Sequence, residues 1–207
     1  MINLLHGDCL EQMKTLDDNS VDSIVSDPPY GISFMAKKWD YDVPSVEVWK
    51  EAMRVLKPGG HALIACGTRT QHRMVVNIED AGFEIRDVVS WIYGSGFPKS
   101  LNIHKKDERC PDGWGTALKP ACEFFTLCRK PLSEKTIAAN VLKWGTGGIN
   151  IDGCRVETEE NCSRKKSLVK DTAAGFGKGV AMGGNGHDAG RFPANLIHDG
   201  SQEVLEL

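Results

Sequence analysis

Val21-Asp22-Ser23-Ile24-Val25-Ser26-Asp27-Pro28-Pro29-Tyr30-Gly31 is the stretch whose reading decides the fold. Its first six residues form an apolar, β-branched run that reads as a strand. Asp27-Pro28-Pro29 stops it, because two successive prolines supply no N–H to a ladder. Upstream, Ile2 to His6 is a short apolar run ended by Gly7-Asp8 and reads as a first strand. A helix is expected from about Cys9, with Leu10, Met13 and Leu16 at helical spacing. Downstream, Pro44-Ser45 opens a second helix with Val48, Trp49, Ala52, Met53 and Leu56 on one face, and Lys57-Pro58-Gly59-Gly60 is expected to end it. His61 to Cys66 is apolar enough for a strand buried on both faces. Thr68 is placed to cap a helix bearing Met74, Val75, Ile78 and Ala81, with Gly82 as its stop. Phe83 to Tyr93 is a further strand. Strands alternating with helices imply parallel βαβ units and an α/β, doubly wound sheet.

After Tyr93 the pattern becomes irregular. Ala121 to Cys128 fits a strand and Ser133 to Leu142 a short helix. Residues 157–190 are polar and glycine-rich, with the basic cluster Arg164-Lys165-Lys166, and read as a flexible insertion. The division expected is an α/β core over 1–96 and an irregular region over 97–207.

Of the 207 residues, 41% are hydrophobic, enough to build a core. No apolar run has membrane-spanning length and no signal peptide is visible, so a soluble cytoplasmic protein without a membrane partner is expected. The seven cysteines are irregularly spaced and form no C-x-x-C pair, which argues for reduced thiols and against a metal site. The net charge of −3 does not advertise a polyanion partner, but its distribution is uneven. Residues 1–96 carry 9 Lys/Arg against 14 Asp/Glu, whereas residues 97–146 carry 9 against 5. This basic island, which includes Lys99, Lys105, Lys106 and Lys119, is either a phosphate-facing strip or a solvated surface.

The chemistry concentrates at Asp27–Tyr30. In an open α/β sheet, ligands bind beyond the carboxyl ends of the strands, where this motif lies. The prolines stiffen the backbone and leave carbonyls to accept hydrogen bonds. Asp27 adds a carboxylate acceptor and Tyr30 a flat aromatic face. That combination suits an exocyclic amino group on a planar base. Acceptors on both N–H bonds draw the amino nitrogen toward tetrahedral geometry and expose its lone pair to an electrophilic methyl group. Catalysis of that kind rests on positioning and electrostatics.

The run Val21 to Gly31 resembles the catalytic motif of amino-group DNA methyltransferases, and Asp-Pro-Pro-Tyr is the form typical of the adenine-N6 enzymes. Arg54 to Gly60 followed by a strand, and Gly82-Phe83-Glu84 through Trp91-Ile92-Tyr93-Gly94-Ser95-Gly96-Phe97-Pro98-Lys99, are similar to the next family segments. Gly113 to Pro120, Asn150 to Arg155 and Gly190 to Asn195 resemble stretches of phage and prophage site-specific methyltransferases, in which restriction-modification is a common setting. The resemblance implies a Rossmann-like AdoMet-methyltransferase fold with a mostly parallel sheet, S-adenosyl-L-methionine as methyl donor, and a base flipped out of double-stranded DNA. It implies that Asp27, Pro28, Pro29 and Tyr30 hold the target base, with Asp27 also bordering the cofactor. It implies that Asp8 and Cys9 contact the AdoMet adenine; a helix N-cap with a buried thiol is the competing reading of those two. Trp91 and Tyr93 either line the pocket or belong to the core.

The family's glycine-rich AdoMet loop, of the form Asp-Pro-Phe-x-Gly-Ser-Gly, is not found in the sequence. Gly175 to Gly190 does not replace it, because no strand pattern precedes it and no helix pattern follows. Without the strands that carry this loop, the first strand and the one ending at Asp27 must pair differently or leave exposed edges. Three readings fit: a fragment of a longer protein, which is favoured; half of a split enzyme whose complementary chain supplies the loop; or a non-catalytic DNA-binding remnant. Cytosine-N4 methylation is the minor alternative chemistry, and a homodimer is compatible.

Overall fold

The computed structural model describes residues 2–33, 36–98, 100–158 and 190–206. Two compact units are present, residues 1–148 with 195–207, and residues 149–194. In the larger unit, β1 (Val21–Ser26), β2 (Leu56–Cys66), β3 (Glu84–Ile92), β4 (Cys122–Arg129) and β5 (Leu196–His198) form one sheet in the order β1-β2-β4-β3-β5. The pairs β1/β2 and β3/β5 are parallel, and β4 is antiparallel to both β2 and β3. Four of the five strands therefore run in one direction and β4 runs against them. The helices are α1 (Cys9–Met13), α2 (Val46–Val55), α3 (Gln71–Asp80), α4 (Ile137–Trp144) and α5 (Gln202–Leu205). The protein is mixed α/β.

The core lies on one face of the sheet. Ala62, Ile64 and Cys66 of β2 and Cys128 of β4 meet Trp49 and Ala52 of α2, Met74 and Ile78 of α3, and Leu56 and Phe83. Paired positions such as Ala62 with Cys128 put alternate residues of neighbouring strands on the same side. Arg54, near the end of α2, ties down the N-terminal segment. Its guanidinium donates to the carbonyls of Met13 at 2.9 Å and Leu16 at 3.0 Å and pairs with Asp18.

Several expectations are corrected. Ile2 to His6 form no strand: the segment lies outside any ladder, and Ile2 and Leu4 are each 88% exposed. Among the described residues β1 is the sheet edge, with no strand beyond it to receive those side chains. Val25, on the other face of β1 from the core, is 77% exposed. Lys57 to Gly60 do not close a helix but open β2. The register jumps from Val21↔Leu56 to Ser23↔His61, so these four residues bulge from the ladder. They are held instead by Lys130, through Gly59 N–H to Lys130 C=O at 3.1 Å and Lys130 N–H to Gly60 C=O at 2.9 Å. The cap position before α3 is Thr70, not Thr68, and its hydroxyl faces Cys66 Sγ rather than capping the helix.

The helix expected over 133–142 starts later, at Ile137, where Thr136 Oγ1 accepts from Ala139 N–H at 3.1 Å. The short β5 has no clear sequence signal, since its three residues are all exposed. With β4 and β5 in the same sheet as β1–β3, the sheet draws strands from both sides of residue 96. Most of the insertion expected over 157–190, including Arg164-Lys165-Lys166, lies outside the described residues.

Candidate functional site

The Asp27–Tyr30 run leaves the carboxyl end of β1, as the motif's position in the sequence suggests. Its shape is fixed by a residue that sequence reasoning did not single out. Asp40, only 2% exposed, accepts from the N–H of Tyr30 at 2.8 Å and of Gly31 at 3.0 Å through one carboxylate oxygen. These are the first two N–H donors after the proline pair. The Asp40 carbonyl also accepts from Ser33 N–H at 2.7 Å. Gly31 sits at φ +67°, and a Cβ there would come within 2.9 Å of the Val43 nitrogen, so the turn requires glycine. Nothing in the local pattern marks Asp40, because its partners lie nine and ten positions away. Asp40→Ala should leave two backbone donors unpaired and lower stability by about 2 kcal/mol; chemical denaturation measures the loss.

Tyr30 turns its ring onto the end of β2. A Cβ on Gly67 would lie 3.2 Å from Tyr30 Cδ2, so glycine leaves the space that the ring occupies. Burial, the facing Asp27 carboxylate and the nearby charge of Glu123 all push the Tyr30 phenol far above its ordinary range. It therefore stays protonated and acts as a donor. Trp91 and Tyr93, both half-buried, stand at the same end of the sheet, with Tyr93 N–H bonded to Ala121 C=O at 3.0 Å. Burial, followed by Glu123 and Cys122, raises the Tyr93 phenol as well. Asp27, Tyr30, Gly67, Glu123, Trp91 and Tyr93 thus come from four strand ends. The arrangement offers carboxylate acceptors beside flat aromatic surfaces, which suits a planar ligand bearing N–H donors.

A family model described as a DNA methylase matches residues 21–173, from the first residue of β1 onward. The chain belongs to the DNA methylase family. Its curated relatives include the Type II methyltransferase M.HindIII of Haemophilus influenzae, 28% identical over 198 residues, covering 71% of this chain and 64% of that protein. The Type II methyltransferase M.HinfI of Haemophilus influenzae is 29% identical over 154 residues, 64% of this chain and 39% of the relative. This DNA methylase chain thus spans less than two thirds of the length of these relatives. Among solved structures, M1.HpyAVI in complex with SAM is 22% identical with a TM-score of 0.42, covering 65% of this chain and 58% of that one. The PvuII DNA methyltransferase (cytosine-N4-specific) is 18% identical with a TM-score of 0.43, covering 64% and 51%.

The other residues singled out from the methylase sequence are placed as follows. Asp8 is the N-cap of α1, its carboxylate accepting from Leu10 N–H at 3.0 Å and Glu11 N–H at 3.3 Å. Cys9 is exposed, so the thiol is not the buried one expected from the N-cap reading. Lys119 folds inward and donates to the Gly94 carbonyl, clamping the loop after β3. Lys105 and Lys106 are exposed, whereas Lys99 lies outside the described residues. Much of the basic island is engaged internally: Arg129 pairs with Glu84 at 2.6 Å, Lys143 with Glu134 at 2.6 Å, and Lys130 donates to Asn19 at 2.7 Å. No group of three or more potential metal ligands occurs among the described residues.

The residues expected to hold AdoMet do not form a cradle for it. The Asp8 carboxylate is occupied at its own helix, and among the described residues no strand precedes it to make the strand–loop–helix turn that a nucleoside cofactor occupies. The glycine run expected as a poor substitute lies outside the described residues, apart from Gly190.

Proposed function

We propose that this chain carries the target-base side of a site-specific, AdoMet-dependent DNA methyltransferase acting on adenine N6. The observation that carries the reading is the Asp27–Tyr30 turn at the carboxyl end of β1, locked by Asp40 and backed by Gly67. Asp27 and the backbone carbonyls of the proline pair accept N–H bonds from the amino group of a base flipped from duplex DNA. The Tyr30 ring stacks on that base, and its neutral phenol donates within the site. When bound, AdoMet supplies the methyl group. The cradle for it is contributed from outside these residues, either by further sequence of the same protein or by a complementary chain. Among the described residues the outer edge of β1 has no partner strand, and Ile2, Leu4 and Val25 are exposed, which supports that reading.

Labelled AdoMet, unmethylated genomic DNA and the full-length protein test the function, with nucleoside digestion to identify the product. The expected product is N6-methyldeoxyadenosine. N4-methyldeoxycytidine would move the chemistry to the minor alternative, and 5-methyldeoxycytidine or no methylated nucleoside would overturn it.

The duplex-facing surface is proposed to lie in the loop between β3 and β4. That loop is closed on itself, with Ser100 Oγ accepting from Thr116 N–H at 3.0 Å and Ile103 N–H bonded to Trp114 C=O at 3.2 Å. It presents Lys105 and Lys106 together with the exposed Phe97, Trp114 and Leu118. Reversing both lysines to Glu should weaken duplex binding and reduce the slope of log affinity against log salt by about 2. Filter binding across a salt series reads this, and an unchanged slope would remove the loop from the interface.

A further inference from the structure

The segment between the base-holding turn and α2 carries two exposed aromatic rings and two lysines that the reading above leaves unused. Residues 31–43 leave the turn and come back to it: a Cβ on Gly31 would lie 2.9 Å from the Val43 nitrogen and 3.1 Å from Asp42 Cα. Loops closed in this way are packed by their own side chains. Here the fastening is Asp40, in the single 3-10 turn Lys38–Asp40, whose carboxylate accepts from Tyr30 and Gly31. Asp40 N–H is bonded to Lys37 C=O at 3.1 Å, and Tyr41 N–H to Lys38 C=O at 3.4 Å. Asp40 is buried, whereas its neighbours Trp39 and Tyr41 are 62% and 58% exposed. A 3-10 turn separates successive side chains by about 120°, so burying the middle one turns those on either side outward. Their Cα atoms lie about 3.8 Å from that of Asp40, one residue away from the contact with Tyr30. Lys37 and Lys38 are exposed too, and neither makes an ion pair among the described residues. The nearby Asp42 carboxylate is turned to its own loop, accepting from Val43 N–H at 2.8 Å.

Flat rings interleaved with uncompensated lysines suit a polyanion that also offers flat faces. A base flipped from a duplex leaves such faces behind, because the bases above and below it lose their stacking partner. A protein partner would account for the rings but not for the two lysines. We propose that Lys37, Lys38, Trp39 and Tyr41 form a DNA contact surface, in which the rings cover base faces laid bare by the departing base and the lysines take the phosphates beside them. This rests on the reading that the Asp27–Tyr30 turn takes a base from DNA. Asp40 ties the surface to that turn, so the grip on the neighbouring nucleotides and the grip on the target base share one fastening.

Fluorescence anisotropy of a labelled mixed-sequence duplex, and of the same duplex with one abasic residue, tests the surface in the 207-residue chain. The unaltered chain should prefer the abasic duplex by about fivefold or more, the value of one stacked base. Trp39→Ala or Tyr41→Ala should remove most of that preference and leave affinity for the intact duplex little changed. Lys37→Gln with Lys38→Gln should weaken binding of both duplexes and lower the slope of log affinity against log salt by about 2. The Tyr30 and Gly31 amide resonances, unmoved in the free variants, show that the Asp40 turn is intact. Their shift on adding adenosine reports the base-holding reading separately. Adenosine shifts, with every variant binding both duplexes like the unaltered chain, would overturn the surface and leave that reading standing. Neither adenosine shifts nor an abasic preference would overturn both. Self-association lost in Trp39→Ala, with DNA affinity unchanged, would make the rings a contact between copies and overturn the proposal.

Discussion

Replacing Asp27 with Ala should lower methyl transfer by the full-length protein by about a thousandfold, with little change in fold. The carboxylate stands beyond the end of β1, outside the core cluster, so its loss leaves no cavity. The turn itself is held by Asp40 and Gly31, which the substitution does not touch. On the proposed reading, what is lost is a preorganised acceptor aimed at the amino nitrogen. Removing one such group from an active site costs on the order of 10²–10³ in rate, and a charged acceptor belongs at the upper end. Asp27→Asn should recover only part of the loss, because the amide can turn either a donor or an acceptor toward the base. Initial rates of labelled-methyl incorporation measure both. Retained incorporation in the Ala variant would remove Asp27 from the chemistry.

The second large effect is expected at Asn140, far from the motif in sequence. This side chain is fully buried in α4. Its Nδ2 donates to the Pro58 and Thr146 carbonyls, each at 2.8 Å, and its Oδ1 accepts from Ser133 N–H at 3.1 Å. Thr146 Oγ1 adds a second bond to the same Pro58 carbonyl at 2.6 Å. Asn140 therefore fastens α4 and the loops on either side of it to the bulged start of β2. Asn140→Leu is close in volume but leaves the Ser133 N–H and the Thr146 carbonyl without a side-chain partner, while the Pro58 carbonyl keeps only Thr146 Oγ1. At about 1–3 kcal/mol per unsatisfied buried group, a loss of about 3–5 kcal/mol is expected. Urea unfolding should show a lower midpoint with an unchanged slope. A midpoint within error of the unaltered protein would mean that α4 is not fastened through this residue.

Much of the fold is legible in the sequence where residues report their own surroundings. The run Val21 to Ser26 followed by two prolines marks β1 and its end, and the spacing of Trp49, Ala52, Met74 and Ile78 marks the faces of α2 and α3 that meet the core. The failures share one cause, which is that pairing is a property of neighbours. Ile2 to His6 has strand composition, but no described strand lies where it would pair. Pro58-Gly59-Gly60 has the composition of a helix stop, yet Lys130 and Asn140, seventy or more residues away, draw it into the start of β2. The reversed direction of β4 leaves no trace in a pattern of apolar residues.

The site divides in the same way. Asp27 to Tyr30 can be read because chemistry and local geometry coincide in four consecutive residues. Asp40, Gly67 and Glu123 cannot, because each matters through a contact made across the fold. Lys119 illustrates the converse. Its charge placed it with a phosphate-facing strip, but its ammonium turns back to the Gly94 carbonyl.

The central claim is that the target base rests at the carboxyl end of the sheet, against Tyr30. Photolysis of 8-azidoadenosine with the 207-residue chain, followed by residue-level mapping of the adduct, tests it most directly. Labelling at Tyr30, Trp91 or Tyr93, suppressed by excess adenosine and lost in Asp27→Ala, is the predicted result. Labelling confined to Asp8 and Cys9 on α1, or insensitive to competing adenosine, would contradict it.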